Sequence, residues 1–348
     1  MASSSSSSRK TLVTASKGGV TATLFSVAIL AVVCALAFDA LHLQLKRSGM
    51  RDLLKEFIDP ADTRIRKHYT GVAAVDKLLF VLVVFFLNVL DPSRPETFLF
   101  VVQFAGQLVA PVIFGYAVAF PIFAIAHLVF SPTDAQSLSL RDPSRLTVVV
   151  PAILLGYLVP TLLQLLPLED YSHQTAIAIW QPFPVYTFVL SWAFSHTAQR
   201  LTLTTGGAPD KNDTDRNAVD TAYDFVLAVG AISHWATIAS IVAVSVQPEL
   251  FPPSVAESLT LAKVFVPKPI RSYGPASLPE ICKQFLQWDY IFGSAASLIW
   301  AASLAARVGA WSFSPAGTVS ILRYIVIYGP SAAAAALMKR RDAVVYGA

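Results

Sequence analysis

Long apolar runs separated by short polar segments dominate the chain. A helix needs about 20 mostly apolar residues to cross a bilayer, and eight segments approach or exceed that length. The pattern therefore predicts an all-α fold: a polytopic transmembrane helical bundle of about eight spans, with no large soluble domain. The predicted spans are 19–41, 72–90, 98–130, 146–167, 175–197, 221–245, 286–308 and 317–338.

The same pattern divides the chain into three parts. Residues 1–18 form a Ser-rich N-terminus expected to be disordered, 19–338 form the bundle, and 339–348 form a short basic tail. Basic residues before the first apolar run, and small residues near its end, also resemble a signal peptide within residues 1–37. The length of that run favours a span, and the alternative stays open.

Two connecting regions matter for the topology. Residues 98–130 are long for one crossing and short for two; Pro111 and Pro121 favour a single kinked helix, with two crossings as the alternative. The segment 42–71 predicts an interfacial helix from Met50 to Phe57. Basic residues are nearly balanced between the two sides, so no orientation is predicted. A glycosylation sequon at Asn212 is only a weak indication of a lumenal loop.

Composition restricts the class of protein. Hydrophobic residues make up 55% of the chain and charged residues 14%, whereas soluble domains carry about 25% charged residues. The net charge of +4 forms no basic stripe, which argues against a nucleic-acid partner. Two cysteines suggest neither a disulfide framework nor a zinc site. The absence of metal-binding and phosphate-loop motifs predicts an activity without metal or cofactor. The apolar composition predicts that the protein lies in a lipid bilayer.

Ionisable residues inside predicted spans are the candidates for chemistry, because their burial in a membrane is costly. Asp76 and Asp289 each lie in the first turn or so of a predicted span, where the helix dipole also favours an acid. His234 lies near the middle of its predicted span. Each of the two acids therefore has a structural and a functional interpretation.

One helix face carries an informative pattern. Asp289, Gly293, Ala296 and Trp300 follow at helical spacing, which places the aromatic ring about 16 Å deeper than the acid. This face fits a pocket with an acid at its mouth. It fits equally a stripe of small residues for close helix packing.

The chain is also rich in aromatic residues, with 22 Phe, 11 Tyr and 6 Trp. Burial keeps a carboxylic acid protonated, and aromatic faces stabilise a developing cation. A dry, aromatic-lined pocket with an isolated acid suits a proton-initiated reaction on an apolar substrate.

Six stretches form an ordered set of motifs along the chain. They are Tyr69-Thr70-Gly71 with Asp76, Val84-Phe85-Phe86, Phe104-Ala105-Gly106-Gln107, Trp180-Gln181-Pro182-Phe183-Pro184, Tyr223 with His234, and Leu286-Gln287-Trp288-Asp289-Tyr290 ending at Trp300. This set resembles the fungal membrane-bound terpene cyclases of meroterpenoid pathways, a family that includes the ascofuranone, ascochlorin and macrophorin cyclases and the related integral membrane proteins of paxilline-type indole-diterpene pathways. The chain differs from that family in lacking the Trp-Pro pair expected after Phe86 and an acid expected near Gly115.

The resemblance implies ring closure in the epoxidised prenyl chain of an apolar prenylated aromatic substrate. It also implies a multi-pass protein of the endoplasmic reticulum membrane that works beside the epoxidase of the pathway. Alternatives from other classes are a small-molecule transporter or exporter, which would use intramembrane acids for proton coupling, and a non-catalytic membrane scaffold.

The residues and the resemblance together give a site hypothesis. Asp289 is the expected proton donor, with Asp76 as second choice, and His234 takes the final proton. Substrate-binding roles are expected for Gln181 and Tyr290 at the epoxide oxygen, for Trp180, Trp288 and Trp300 along the path of the cation, and for Gln107, which lies in the same leaflet as Gln103.

Overall fold

The computed structural model describes residues 17–58, 64–107, 116–131, 144–205, 211–271 and 276–345, and within these ranges the regular structure is helical. The predicted Ser-rich N-terminus lies almost entirely outside the described residues. The longer helices are α1 Lys17–Phe38, α2 Met50–Ile58, α3 Ala73–Val89, α4 Pro95–Gln107, α5 Tyr116–Phe130, α6 Val149–Leu165, α7 Asp170–Trp180, α8 Phe183–Thr205, α9 Lys211–Val246, α10 Leu278–Arg307, α11 Pro315–Tyr328 and α12 Pro330–Val345.

The all-α prediction is confirmed, but the prediction of eight spans is not. By length and composition, three described helices are able to cross a membrane: Ala22–Arg47, Arg216–Val246 and Leu278–Arg307. A fourth candidate is the pair α7 and α8, which are bent by 55° at Trp180–Phe183. The long first helix continues past α1 through a π-helical turn at Asp39–Leu43.

The remaining predicted spans are shorter or broken in the structure. The segment 98–130, expected as one kinked helix, contains two helices, α4 and α5, and residues 108–115 between them are not described. The segment 317–338 is divided at Gly329, whose φ of 85° lies in the left-handed region that glycine adopts at little cost. The helix predicted from Met50 to Phe57 is confirmed as α2, and its place at the membrane interface stays a prediction.

Helix α10 lies at the centre of the fold. It packs against α12, α5 and α1, while α9 packs against α4 and α12. Small residues allow these close approaches: Ala301 and Ala305 on α10, and Ala333 on α12, have no exposed surface. Helix α6 packs against both α7 and α8, and α7 also contacts α3.

The outer surface is apolar, as expected of a protein in lipid. Leu24, Phe130, Phe188 and Ile232 are large apolar side chains with 60% or more of their surface exposed. Single exposed apolar residues are common in soluble proteins, whereas large exposed apolar patches are rare there. Together with the long apolar helices, this surface supports a membrane location.

Candidate active site

Successive residues of α10 carry much of the predicted site and contact different parts of the fold. Gln287 donates from Nε2 to the carbonyl oxygen of Val264 at 2.7 Å. Trp288 donates from Nε1 to the carbonyl oxygen of Lys268 at 3.2 Å. Each residue turns about 100° around the helix axis from the one before, so neighbours in sequence meet different partners.

Asp289 lies at the first turn of α5. Its Oδ1 accepts a hydrogen bond from the backbone N–H of Ala117 at 2.8 Å, and the carboxyl group is 2% exposed. The N–H of Tyr116 is a second backbone donor to the carboxyl group. The first N–H groups of a helix have no partner within the helix, and an acid at this position satisfies them. Asp289 therefore has a structural role as the cap of α5.

The face with small residues below Asp289 is filled by α5. A Cβ atom added to Gly293 would overlap the ring of Tyr116. Deeper in the bundle, Trp300 donates from Nε1 to Nδ1 of His127 at 3.2 Å. Its ring lies 5.7 Å from that of Phe120, edge to face. Of the two interpretations of this face, the structure shows close helix packing.

A polar cluster surrounds the hydroxyl of the next residue of α10, Tyr290, in the aromatic core. Gln103 of α4 donates from Nε2 to the hydroxyl oxygen of Tyr290 at 3.0 Å. The same nitrogen lies 3.3 Å from Nδ1 of His234. Gln103 is 0% exposed and Tyr290 5% exposed. The structure thus brings together two predicted site residues, Tyr290 and His234, through a third residue that had no predicted role.

Aromatic rings enclose this cluster. The rings of Phe100 and Phe104 lie 5.7 and 5.8 Å from the ring of Tyr290, both nearly perpendicular to it. These two rings place apolar surface against Tyr290 in the core. Hydrogen bonds in such surroundings are stronger than in water, because the local dielectric is low.

Gln107, one turn further along α4, joins three other parts of the bundle. Its Nε2 donates to the carbonyl oxygens of Gly230 and Tyr328 at 2.9 and 2.8 Å. Its Oε1 accepts from the N–H of Ala332 at 3.0 Å. With three hydrogen bonds to backbone, this amide ties α9, α11 and α12 together, and a substrate-binding role for it stays a prediction.

Trp180 and Gln181 lie at the break between α7 and α8. Trp180 donates from Nε1 to Oγ1 of Thr161 at 2.9 Å, and its ring lies 5.0 Å from that of Phe86 and 5.1 Å from that of Phe183. Nε2 of Gln181 is buried without a hydrogen-bond partner. Trp180 and Tyr290 belong to the same apolar cluster, whereas Trp288 and Trp300 pack in two other clusters.

Asp76 is enclosed by the loop that precedes α3. Its carboxyl oxygens accept from the N–H groups of Tyr69, Thr70 and Gly71, at 3.0, 2.7 and 3.1 Å, and from Oγ1 of Thr70 at 2.9 Å. Nδ1 of His68 lies 3.5 Å away. Burial raises the pKa of Tyr69 to about 12, so that hydroxyl stays protonated. The donors around Asp76 suit an ionised carboxylate that holds the loop in place.

The described residues contain no group of three His, Cys, Asp or Glu side chains that are close enough to hold a metal ion. The side chain of Asn212 is not among those described. A small apolar cleft of about 170 Å³ opens between α1, α10 and α11, lined by residues such as Phe25, Leu298 and Phe313. None of the predicted site residues lines it.

Comparison with known proteins gives a consistent family. The CtvD domain model matches residues 26–113 and 111–346. Terpene cyclase ascI of Acremonium egyptiacum is 23% identical over 324 residues, 80% of each chain. Terpene cyclase ctvD of Aspergillus terreus (strain NIH 2624 / FGSC A1156) is 26% identical over 279 residues, 68% of this chain and 73% of the relative. Terpene cyclase atmA of Aspergillus flavus is 22% identical over 311 residues, 76% and 81%.

No solved structure matches the chain. The family model, however, accounts for nearly the whole length, and it includes all the predicted site residues. The chain belongs to the CtvD domain family, whose members named above are terpene cyclases.

Proposed function

We propose that this protein is a membrane terpene cyclase that closes a ring in the epoxidised prenyl chain of a meroterpenoid. The observation that carries the proposal is the family match along residues 26–346, to relatives that are themselves terpene cyclases. The relatives give no support to the transporter or scaffold alternatives. The aromatic core around Tyr290 supplies the environment that the chemistry needs.

The reaction begins with proton transfer from a carboxylic acid to the oxygen of a terminal epoxide. The carbon–oxygen bond to the more substituted carbon breaks, and positive charge develops on that carbon. An internal alkene or hydroxyl supplies the electron pair that closes the ring, and a proton is finally lost to a base. Return of this proton from the base to the carboxylate regenerates the acid, and the product is an isomer of the substrate.

Aromatic rings are the main contribution of this chain to the cationic stage. A cation over an aromatic face is stabilised by about 0.5–2 kcal/mol or more when both are desolvated. Phe100 and Phe104 stand around Tyr290, and Phe86 and Phe183 stand around Trp180. Because these residues share one apolar cluster, we assign the path of the cation to this cluster first. We propose that Trp288 and Trp300, which pack in two other apolar clusters, line the outer parts of the path of the cation.

Asp289 is the proposed proton donor, and Asp76 is the second choice. Asp289 lies next to Tyr290 in sequence and is buried, and its known hydrogen bonds involve backbone N–H groups. Asp76 has more donors around it, and these favour its ionised form. His234 accepts a hydrogen bond at Nδ1 from Gln103, so it takes a proton there only when that bond breaks.

The endoplasmic reticulum membrane and an epoxidase partner complete the proposal. An epoxide is reactive, and a separate oxygenase forms it in the pathways of the cyclase family that this chain resembles. A cyclase in the same membrane would receive such an apolar substrate without its passing through water. The exposed apolar surface of the bundle supports this arrangement.

The proposal is tested by product analysis of microsomes that express only this chain. We expect a farnesylated phenol with a terminal epoxide to be converted into a new isomer of unchanged mass. Control microsomes without the chain report hydrolysis of the epoxide, which adds the mass of water. Unreacted epoxide beside well-expressed protein, across several prenylated aromatic epoxides, would contradict the proposal. Uptake of the unchanged epoxide into sealed vesicles would indicate a transporter instead.

A further inference from the structure

The amide group of Gln103 has hydrogen-bond partners on one side only. Its Nε2 donates hydrogen bonds to the hydroxyl oxygen of Tyr290 and to Nδ1 of His234. Its Oε1 is buried and has no hydrogen-bond partner. A buried acceptor left unpaired costs about 1–3 kcal/mol, and such groups in native proteins call for a specific explanation.

Both hydrogens of Nε2 are committed, and this determines what the two partners do. An amide nitrogen only donates, so Nδ1 of His234 accepts and the neutral ring carries its proton on Nε2. The Tyr290 oxygen also accepts from Gln103, so its own O–H remains available to donate elsewhere. The two hydrogen bonds hold the amide plane, and Oε1 keeps a fixed direction.

We infer that Gln103 and Tyr290 together bind the oxygen atom that the reaction converts from an epoxide into a hydroxyl; this inference rests on the proposed function. Tyr290 O–H donates to this oxygen, and Oε1 of Gln103 accepts a hydrogen bond from the O–H group that forms when the epoxide is protonated and opens. Gln103 is thus a catalytic residue for the proposed reaction, in addition to the residues that the sequence predicted.

The chemistry of the ligand explains why Oε1 lacks a partner. An epoxide oxygen has no hydrogen, so it offers nothing to a carbonyl acceptor. Once the oxygen is protonated, it becomes a donor, and the contact with Oε1 forms. An interaction that exists only after proton transfer stabilises the transition state and the product over the bound substrate, and it therefore raises kcat rather than affinity.

The test compares Gln103→Leu with the parent chain in the microsomal assay, with Gln164→Leu as matched control. Gln164 is also buried, at 1% exposure, and its Oε1 also lacks a partner, but it lies on α6, outside the polar cluster. We expect Gln103→Leu to lower kcat about tenfold or more, as the loss of one buried hydrogen bond to a charged group implies. The KM for the epoxide should change less than threefold.

A second measurement separates this role from a merely structural one. A saturated alcohol analogue of the ring-opened product should inhibit the parent chain, and its inhibition constant should rise about tenfold or more in Gln103→Leu. The inhibition constant of the matching epoxide analogue, which lacks the O–H, should stay close to that of the parent. Gln164→Leu should leave both constants unchanged.

The outcomes distinguish the two proposals. If the parent chain produces no isomer, the proposed function fails. If the parent cyclises the epoxide and Gln103→Leu keeps its kcat, the role of Gln103 is refuted. Equal weakening of the alcohol and epoxide analogues would also refute it, because a general disturbance of the core does not discriminate between them.

Discussion

Asp289 has two separable roles in the structure, and two substitutions distinguish them. Asp289→Asn keeps a side-chain oxygen that accepts from the N–H of Ala117, but it removes the acidic proton. Asp289→Ala removes both. The proposal of a proton donor therefore makes different predictions for the two variants, in stability and in rate.

The expected magnitudes follow from the burial of both partners. Ala117 has no exposed surface, and Asp289 is 2% exposed, so water does not replace the lost acceptor in Asp289→Ala. Leaving that N–H unpaired costs about 1–3 kcal/mol, comparable with the loss of a helix cap. Asp289→Asn should lose less than half of this. A general acid contributes about 10²–10⁴-fold to rate, so both variants should lose at least that much activity.

The assays are thermal unfolding in detergent and the rate of isomer formation per amount of protein. Asp52→Asn is the control, because that carboxylate is exposed and pairs with Lys55 at the surface; it should change neither quantity. Full activity in Asp289→Asn would refute the donor assignment and leave Asp289 as a cap alone. Equal loss of stability in both variants would refute the account of the cap.

Two further predictions concern packing and the second acid. Gly293→Ala should lower both stability and activity, because the new methyl group would overlap the ring of Tyr116 and overpacking costs about 1–3 kcal/mol; an unchanged unfolding temperature would contradict this packing. Asp76→Ala should cost about 1.5–3 kcal/mol or more, because it removes the acceptor for several donors of the preceding loop. If the Asp76→Asn variant is stable and active, Asp76 is not the proton donor. If Asp76→Asn is stable but inactive while Asp289→Asn is active, Asp76 is the donor and Asp289 is only the cap of α5.

Much of the secondary structure was predictable from the order of apolar residues. In lipid, each backbone N–H and C=O must be paired within its own segment, so apolar runs become helices. The prediction of α2 from Met50 onward also succeeded, because the 42–71 segment is mixed in charge. The prediction of eight spans is not confirmed, because an apolar run of 15–20 residues suits a buried helix as well as a spanning one. The left-handed turn at Gly329 is one point where such a run is divided.

The site was predictable in part. Aromatic content, the isolated acids and the resemblance pointed to Asp289, Tyr290 and His234. For Gln103, the sequence predicted only a position in the same leaflet as Gln107. A glutamine in an apolar run carries no local sign of its hydrogen-bond partners. The signal that was available is the pair of glutamines one turn apart on α4. Only the fold shows that Gln107 is bonded to backbone on every side, while Gln103 has a free acceptor.

By itself, the sequence determined an all-helical membrane protein of the terpene cyclase type, because hydropathy and local motifs are properties of contiguous residues. The tertiary structure decided which group each side chain meets. Along 287–290, each residue points about 100° from the last, toward the 261–271 connection, α5 or α4 in turn. No local pattern contains that information, because the partners lie 20 to 190 residues away and meet only when the helices pack.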